Sequence, residues 1–310
     1  MENYADRLIK AIEEKNTSCI VGLDPQIELM PEFILQRNKN ETIQKRIFKS
    51  IYEFHKIIID TIADIVPCVK LQIAFYEQYG VAGMKAFEST LNYSKSNNLI
   101  TIVDAKRNDI GSTAQAYSNS LLGKTNIFGN KVSIYDVDCI TVSPFLGEDS
   151  LMPFYKDCLE YGKGIFVLVK TSNPGSGDFQ NLQIINTGDE IFVSLGRLVN
   201  KIGSSLIGKR GYSSIGAVVG ATYPLEADKL RNIMKNNIFL VPGYGAQGAR
   251  GKDIINCFNS DNLGAIVNAS RSITYNFKSQ EISEFDFVLN IENNIKEMIS
   301  DVQSSLKIQK

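Results

Sequence analysis

The densest group of ionisable side chains in this sequence comes directly after a short apolar run. Residues 99–103 are rich in β-branched side chains, and Asp104, Lys106 and Asp109 follow them. Such a run predicts a buried strand, and Asp104 and Lys106 share one face if the strand continues through them. Crowded charges are costly to desolvate unless they pair, and carboxylates favour a protonated amine. The pattern suits chemistry that needs an ammonium group held among carboxylates; the alternative is a surface ion-pair cluster.

The elements that must position these residues form a regular series. Apolar runs bounded by turn residues occur at 19–23, 66–71, 99–103, 137–142, 164–169, 215–219, 238–241 and 265–267. Amphipathic helical segments separate most of them, which predicts an α/β fold with a parallel sheet. A doubly wound sheet fits this alternation too, but eight units in 310 residues favour a closed (β/α)8 TIM barrel with extra helical segments.

In a barrel, the polar residues that follow the strands meet at one face, where barrel enzymes carry out their chemistry. Those residues are Asp24, Lys70, Asp104, Lys106, Ser143, Ser172 and Arg271. The predicted barrel would therefore gather side chains from distant parts of the sequence around the charged group at 104–109.

Length and composition predict one domain over residues 1–310. With 33 Lys and Arg against 34 Asp and Glu, the net charge is −1, which argues against a nucleic-acid partner. No apolar run reaches membrane-spanning length, and the N-terminus resembles a capping helix rather than a signal peptide. Five widely spaced cysteines are expected to be reduced core residues. We therefore expect a cytoplasmic protein with no membrane partner.

Several chemistries lack their usual residues. His55 is the single histidine, and its place within a predicted long helix favours a surface or packing role over a triad or a metal site. No C-x-x-C pair suggests zinc, and neither the P-loop nor the G-x-G-x-x-G nucleotide fingerprint is present. These absences set aside a histidine-centred triad, a histidine-rich or C-x-x-C metal site and the two nucleotide-binding loops.

A phosphate signal lies near the C-terminus. The seventh predicted strand leads into residues 242–251, a loop with four glycines, and the eighth leads into residues 268–272, which contain Arg271 and two serines. Glycines allow backbone N–H groups to approach an anion closely, and these two loops commonly bind phosphate in barrel enzymes. A flexible turn and a structural arginine are the alternative explanation.

These residues together resemble the orotidine 5′-phosphate decarboxylase family. The similarity rests on D-A-K-x-x-D-I-G-x-T at 104–113, P-G-x-G-A-Q-G at 242–248 and the strand-eight Arg271. Further matches run in order along nearly the whole chain, at residues 21–24, Lys70, 144–150 and 171–175. Extra length around 38–44 and 181–212 resembles the longer branch of the family, and the roles of these insertions are not indicated.

The resemblance implies decarboxylation of orotidine 5′-monophosphate to UMP without a metal ion or organic cofactor. Loss of CO2 leaves a carbanion at C6 of the pyrimidine, which a fixed cation can stabilise and protonate. Lys106 matches the proton donor, and Asp104 matches the carboxylate beside the departing CO2. Lys70 and Asp109 match the flanking members of a Lys-Asp-Lys-Asp array.

The resemblance also implies a substrate-binding set and a homodimer. Asp24 and Lys70 match residues that hold the ribose, Ser172 the side chain that contacts the pyrimidine, and Gln247 and Arg271 the phosphate contacts. Pro242 and Ser270 complete the set. Asp109, Ile110 and Thr113 match residues that enter the neighbouring subunit's site, so the homodimer would have shared active sites.

Two alternative functions remain open at this point. Mg²⁺-dependent sugar-phosphate decarboxylases and aldolases of the same barrel type also carry D-x-K-x-x-D, but they need an acidic metal ligand where this chain has Lys70. A non-catalytic nucleotide-binding barrel would be expected to have lost part of the charged array, which is intact here.

Overall fold

The computed structural model describes residues 2–308, and eight parallel strands form a closed barrel within them. Each strand pairs with its two neighbours, and the first pairs with the last to close the ring. In chain order the barrel strands are β1 Cys19–Leu23, β2 Cys68–Gln72, β3 Ile100–Arg107, β4 Cys139–Val142, β5 Gly164–Lys170, β6 Ser213–Val219, β7 Asn237–Val241 and β8 Ala265–Ala269.

Helices connect the strands and cover the outside of the barrel. Their bounds are α1 Tyr4–Lys15, α2 Glu32–Arg37, α3 Ile43–Ile62, α4 Ala74–Glu77, α5 Gly80–Ser96, α6 Gly111–Leu121, α7 Glu148–Tyr161, α8 Gly177–Gln180, α9 Ile191–Gly203, α10 Pro224–Ile233, α11 Gly251–Ile254, α12 Arg271–Thr274 and α13 Glu284–Ile308. Short 3-10 turns occur at Ile27–Leu29, Pro174–Ser176, Ser204–Leu206 and Ile255–Cys257. None of the helices in the described part of the chain is long and apolar enough to cross a membrane.

Alternation along the strands separates two apolar clusters. Because successive strand side chains point to opposite faces, one set packs outward against the helices and the other fills the barrel. The inner cluster includes Ile20, Cys68, Ile102, Cys139, Phe166, Ile238 and Ile266, all buried. The parity of these inner positions determines which later residues on each strand point into the open end of the barrel.

Helix α1 closes the N-terminal end of the barrel. Its apolar face packs with the inner cluster, and Tyr4 meets Phe166 edge-on, with ring centroids 6.3 Å apart. Arg7 forms an ion pair with Asp138 at 2.5 Å. With this end filled, the carboxyl ends of the strands are left as the open face.

The eight predicted strands and the barrel are confirmed. The third strand is longer than the apolar run, because β3 continues through the charged residues to Arg107. The segment 181–212 is not wholly an insertion, since it contains α9, the helix that joins β5 to β6. A two-stranded hairpin, Thr125–Ile127 with Asn130–Val132, was not predicted. All five cysteines are free and buried, as expected.

We predict that Gly164→Ala destabilises the fold by about 1–3 kcal/mol, the usual effect of overpacking a core. A Cβ atom at Gly164 would lie 2.2 Å from Cδ1 of Tyr4, so α1 would have to move away from the barrel. Urea unfolding measures the change. Gly177→Ala is the matched control, because its Cβ meets nothing closer than 3.5 Å; equal stability of the two variants would contradict the prediction.

Candidate active site

The carboxyl ends of the strands surround a cavity of about 470 Å³, within the size range of small-molecule sites. Every barrel strand or the loop that follows it contributes to the wall. The polar lining residues are Asp24, Lys70, Gln72, Asp104, Lys106, Thr141, Thr171, Ser172, Asn173, Tyr244, Gln247, Asn268, Ser270 and Arg271.

Strand parity explains why charged and polar groups enter this cavity. Lys70 comes two residues after the inner-cluster residue Cys68, and Asp104 comes two residues after Ile102. Each therefore points inward on the same face of its strand as the apolar residue below it. The barrel thus changes from an apolar interior to a charged wall within one two-residue step.

Asp104 lies at the centre of the charged wall and receives four donors. Its Oδ1 atom accepts hydrogen bonds from Lys106 Nζ and Thr141 Oγ1, both at 2.7 Å. Its Oδ2 atom accepts from Gln72 Nε2 at 2.9 Å and Lys70 Nζ at 3.4 Å. This set of donors satisfies both oxygens of a buried carboxylate.

Neighbouring charges keep Asp104 and Lys70 ionised despite their burial. Burial alone would raise the pKa of Asp104, but Lys70, Lys106 and the Thr141 hydroxyl lower it to about 2. Burial would likewise lower the pKa of Lys70, yet the carboxylates of Asp24 and Asp104 outweigh that effect and raise it. At neutral pH Asp104 is therefore a carboxylate and Lys70 an ammonium group.

Three tyrosine hydroxyls hold the backbone that carries Asp24. The Tyr76 hydroxyl donates to the backbone carbonyl of Leu23 at 3.0 Å, and the Tyr275 hydroxyl donates to the backbone carbonyl of Asp24 at 3.2 Å. The Tyr275 hydroxyl also accepts a hydrogen bond from the backbone N–H of Gln26, and the Tyr79 hydroxyl accepts one from the backbone N–H of Ile27.

His55 is buried against Tyr76, with its Nδ1 atom 3.2 Å from the Tyr76 hydroxyl. Burial lowers the pKa of His55 to about 3. The single histidine has a packing role, as expected.

Two acceptor atoms in the cavity wall favour a ligand with donor groups. Oδ1 of Asp24 and Oδ1 of Asn268 are buried and accept no hydrogen bond from the described residues. Lys70 Nζ approaches the first at 3.8 Å, as an ion pair. Buried acceptors are usually paired, so hydroxyl groups of a substrate fit this part of the wall.

The opposite side of the cavity carries the glycine-rich loop and Arg271. Gly243, Gly245 and Gly248 have φ values of +103°, +71° and +91°, which glycine adopts without strain. Arg271 begins α12 directly after β8, and no carboxylate within residues 2–308 lies within 4 Å of its guanidinium. A free guanidinium beside a loop of this kind suits an anionic group such as phosphate.

Hydrogen bonds from the β6–α10 connection hold the loop that carries Ser172. Thr222 donates to the Ser172 carbonyl and Tyr223 to the next carbonyl, each at 3.1 Å. At the base of the loop, Lys170 Nζ is buried, donates to Asn181 at 2.8 Å and lies 4.2 Å from the ring centroid of Tyr223. The loop therefore presents Ser172 to the cavity from a constrained backbone.

The cavity brings together most of the predicted site. Nine predicted residues line it: Asp24, Lys70, Asp104, Lys106, Ser172, Pro242, Gln247, Ser270 and Arg271. Asp109, Ile110 and Thr113 do not, and Ile110 is 57% exposed at the start of α6. Prediction missed Gln72 and Thr141. Gln72 could have been found from its spacing to Lys70, whereas Thr141 lies inside an apolar strand and gave no such signal.

Comparison with known proteins identifies the family of this chain. The family model described as Orotidine 5′-phosphate decarboxylase / HUMPS family matches residues 19–284. An orotidine 5′-phosphate decarboxylase of Caldicellulosiruptor bescii is 42% identical over 303 residues, which is 97% of this chain and 99% of the relative. The chain therefore belongs to the orotidine 5′-phosphate decarboxylase / HUMPS family of (β/α)8 barrels. The predicted family of carboxy-lyases is thereby confirmed.

Solved structures support the same fold. A Toxoplasma gondii protein provisionally described as an orotidine-monophosphate decarboxylase superposes with a TM-score of 0.79 at 26% identity, covering 99% of this chain and 97% of that chain. The OMP decarboxylase of Leishmania donovani gives a TM-score of 0.71 at 24% identity, covering 98% and 99%. The second similarity bears on the fold alone.

We predict that Asp104→Asn makes the protein less sensitive to acid. The pKa of Asp104 falls from 3.8 to about 2 on folding, so its charge stabilises the fold above pH 4 and this contribution is lost as the pH falls through 2. About 1 kcal/mol of it is gone at pH 3. Wild type should therefore lose about 1 kcal/mol more than the variant between pH 6 and pH 3 in urea unfolding.

Asp157→Asn is a control of opposite sign. Burial raises the pKa of Asp157, so that carboxyl contributes stability at low pH that is lost as the pH rises. Its variant should lose more stability than wild type on acidification. Equal acid losses in wild type and Asp104→Asn would show that the charge pairing described above does not stabilise the folded state.

Proposed function

We propose that this protein decarboxylates orotidine 5′-monophosphate to UMP, a carboxy-lyase reaction of pyrimidine biosynthesis. The observation that carries the proposal is the arrangement of Lys106, Asp104 and Lys70 at one side of a cavity that has a phosphate-type loop and Arg271 at the other. The substrate has the same polarity, with a carboxylate on its base and a phosphate on its ribose. Family membership and the named relatives support the same reaction.

In this proposal Lys106 is the proton donor. When CO2 leaves, the electron pair of the broken bond stays on C6 of the pyrimidine, and no adjacent carbonyl can accept it. A fixed ammonium beside C6 stabilises that charge and then protonates the carbon. Asp104 holds Lys106 at 2.7 Å and presents its own charge to the departing carboxylate. No metal ion or organic cofactor is required for these steps.

The rest of the cavity would bind the nucleotide. Asp24 and Lys70 hold the ribose, for which the unpaired Asp24 oxygen is a ready acceptor. Ser172 contacts the base, and Gln247 and Arg271 bind the phosphate with Pro242 and Ser270 lining the same wall. Because the phosphate lies away from the breaking bond, its binding energy can order the loops and the charged array around the substrate.

We also propose a homodimer whose two sites are shared. Asp109, Ile110 and Thr113 lie outside the cavity of their own chain, and Ile110 exposes an apolar side chain at the rim of the barrel. These residues would enter the site of the neighbouring subunit, where Asp109 completes the Lys-Asp-Lys-Asp array. Each chain would contribute one domain spanning residues 1–310, and free cysteines fit a reducing cytoplasm.

The Mg²⁺-dependent alternative fits this cavity poorly. Lys70 Nζ lies 3.4 Å from Asp104 and 3.8 Å from Asp24, so an ammonium group stands between the two carboxylates that could otherwise ligate a cation. In residues 2–308, no group of three His, Cys, Asp or Glu side chains is placed to hold a metal ion.

Treatment with EDTA tests the two functions against each other. Decarboxylation that survives EDTA supports the proposal, and loss of decarboxylation that added Mg²⁺ restores would favour the alternative.

The central test is turnover of orotidine 5′-monophosphate, followed by its ultraviolet absorbance. We expect wild type to consume it and Lys106→Ala to lose several orders of magnitude in kcat while still folding, because the ammonium acts chiefly in the transition state. Lys10→Ala is the control, since Lys10 is exposed on α1 at the closed end of the barrel. Near-normal turnover by Lys106→Ala would disprove the assigned role.

A mixing experiment tests the shared sites. Lys106→Ala and Asp109→Ala homodimers should each have two crippled sites, whereas a mixed dimer collects both defects in one site and leaves the other intact. Random reassortment makes roughly half the dimers mixed, so activity should recover to about a quarter of wild type. If subunits exchange, as tagged chains can show, and no activity returns, Asp109 acts within its own chain.

A further inference from the structure

Strand β3 carries three residues where its neighbour β4 carries one. The strands pair on both sides of this point, Val103 with Ile140 and Arg107 with Val142, and the register shifts between these two pairs. Between these pairs lie residues 104–106 on β3 and Thr141 alone on β4. Extra residues on one strand form a bulge, which redirects side chains and removes backbone groups from the ladder.

The bulge places Lys106 in an uncommon backbone conformation. Its φ angle is +46°, in the left-handed region that side chains other than Asn and Asp rarely adopt. The other non-glycine residues with positive φ in the described chain are Asn or Asp, apart from Phe128 at the tip of the hairpin. Such a conformation persists in a strand only when its surroundings hold it.

The hydroxyl of Thr141 provides that support through two hydrogen bonds. It accepts the backbone N–H of Lys106 at 2.9 Å and donates to Oδ1 of Asp104 at 2.7 Å. The same Oδ1 atom accepts from Lys106 Nζ at 2.7 Å. These three hydrogen bonds connect the backbone N–H of Lys106, through Thr141 and Asp104, to the ammonium group of the same lysine. Thr141 itself is 1% exposed, so water does not compete for its hydroxyl.

We propose that Thr141 is a positioning residue that fixes the Lys106 ammonium against Asp104. Its oxygen holds the backbone of Lys106 in the left-handed conformation, and its proton holds the carboxylate that receives the ammonium. No other described residue has a side chain that hydrogen-bonds both the backbone N–H of Lys106 and the carboxylate of Asp104. The kinetic consequence rests on the proposed function, because it requires that Lys106 act on the substrate.

The kinetic test compares Thr141→Val, which keeps the shape without the hydroxyl, with Thr141→Ser, which keeps the hydroxyl. With orotidine 5′-monophosphate as substrate, we expect Thr141→Val to lower kcat about 10- to 100-fold with KM within about threefold, the usual scale for a lost hydrogen bond to a charged group. Because it keeps the hydroxyl, Thr141→Ser should have a kcat within about fivefold of the wild-type value. Unchanged kcat in Thr141→Val, or equal losses in both variants, would overturn the proposal.

Thr101→Val is the matched control. Thr101 is a buried threonine of the same barrel whose hydroxyl bonds the carboxylate of Asp138 at 2.9 Å, near the closed end. The same substitution there should change stability but leave kcat unchanged. A similar kcat loss in Thr101→Val and Thr141→Val would mean that general loosening of the barrel, and not the position of Lys106, is responsible.

A structural readout separates this proposal from the proposed function. In a crystal structure of Thr141→Val without substrate, we expect Lys106 to leave its positive φ or Nζ to move out of hydrogen-bond distance of Asp104. If neither changes, Thr141 does not position Lys106, whatever the enzyme does. If wild type fails to consume orotidine 5′-monophosphate but Lys106 moves in the variant, the proposed function fails and the positioning role stands.

Discussion

The buried carboxylate of Asp104 is the constraint on which the rest of the site depends. It lies among two ammonium groups, an amide and a hydroxyl, and breaking a buried ion pair by removing one member usually costs several kcal/mol. With the Asp24 carboxylate, it raises the pKa of buried Lys70 against the effect of burial. The surrounding barrel therefore has to be rigid, because a small shift of β2, β3 or β4 would leave a buried charge without its partner.

Much of this structure was predictable because two periodic signals agree along the chain. The apolar runs and amphipathic segments indicated eight strand–helix units, and residues that end the runs, such as Lys70 and Asp104, indicated the open face. The apolar run alone ends at Val103, and the pattern leaves open whether the strand continues through the charged residues. Pairing with β2 and β4 extends the strand to Arg107 instead, because ladder hydrogen bonds and ion pairs compensate the charged side chains.

The features that could not be predicted depend on tertiary pairing. Thr141 is an ordinary β-branched residue of a strand, and only the bulge of β3 gives its hydroxyl two partners. The tyrosines that hold the Asp24 backbone come from two distant segments, which no local spacing relates to β1. Residues 181–212 resemble the extra length of the family's longer branch, yet they contain α9, the helix that joins β5 to β6.

The closure of the barrel by β1 and β8 has a consequence for how the chain acquires its activity. The charged wall comes from the first four strands, whereas the glycine-rich loop and Arg271 follow β7 and β8. The pairing of Cys19 with Val267 joins segments from opposite ends of the sequence, and contacts of such long separation form slowly. During synthesis the paired charges of the first four strands are made before the loop and the arginine that we propose to bind phosphate. If the cavity binds a nucleotide as proposed, a nascent chain can hold it only when its last strand is in place.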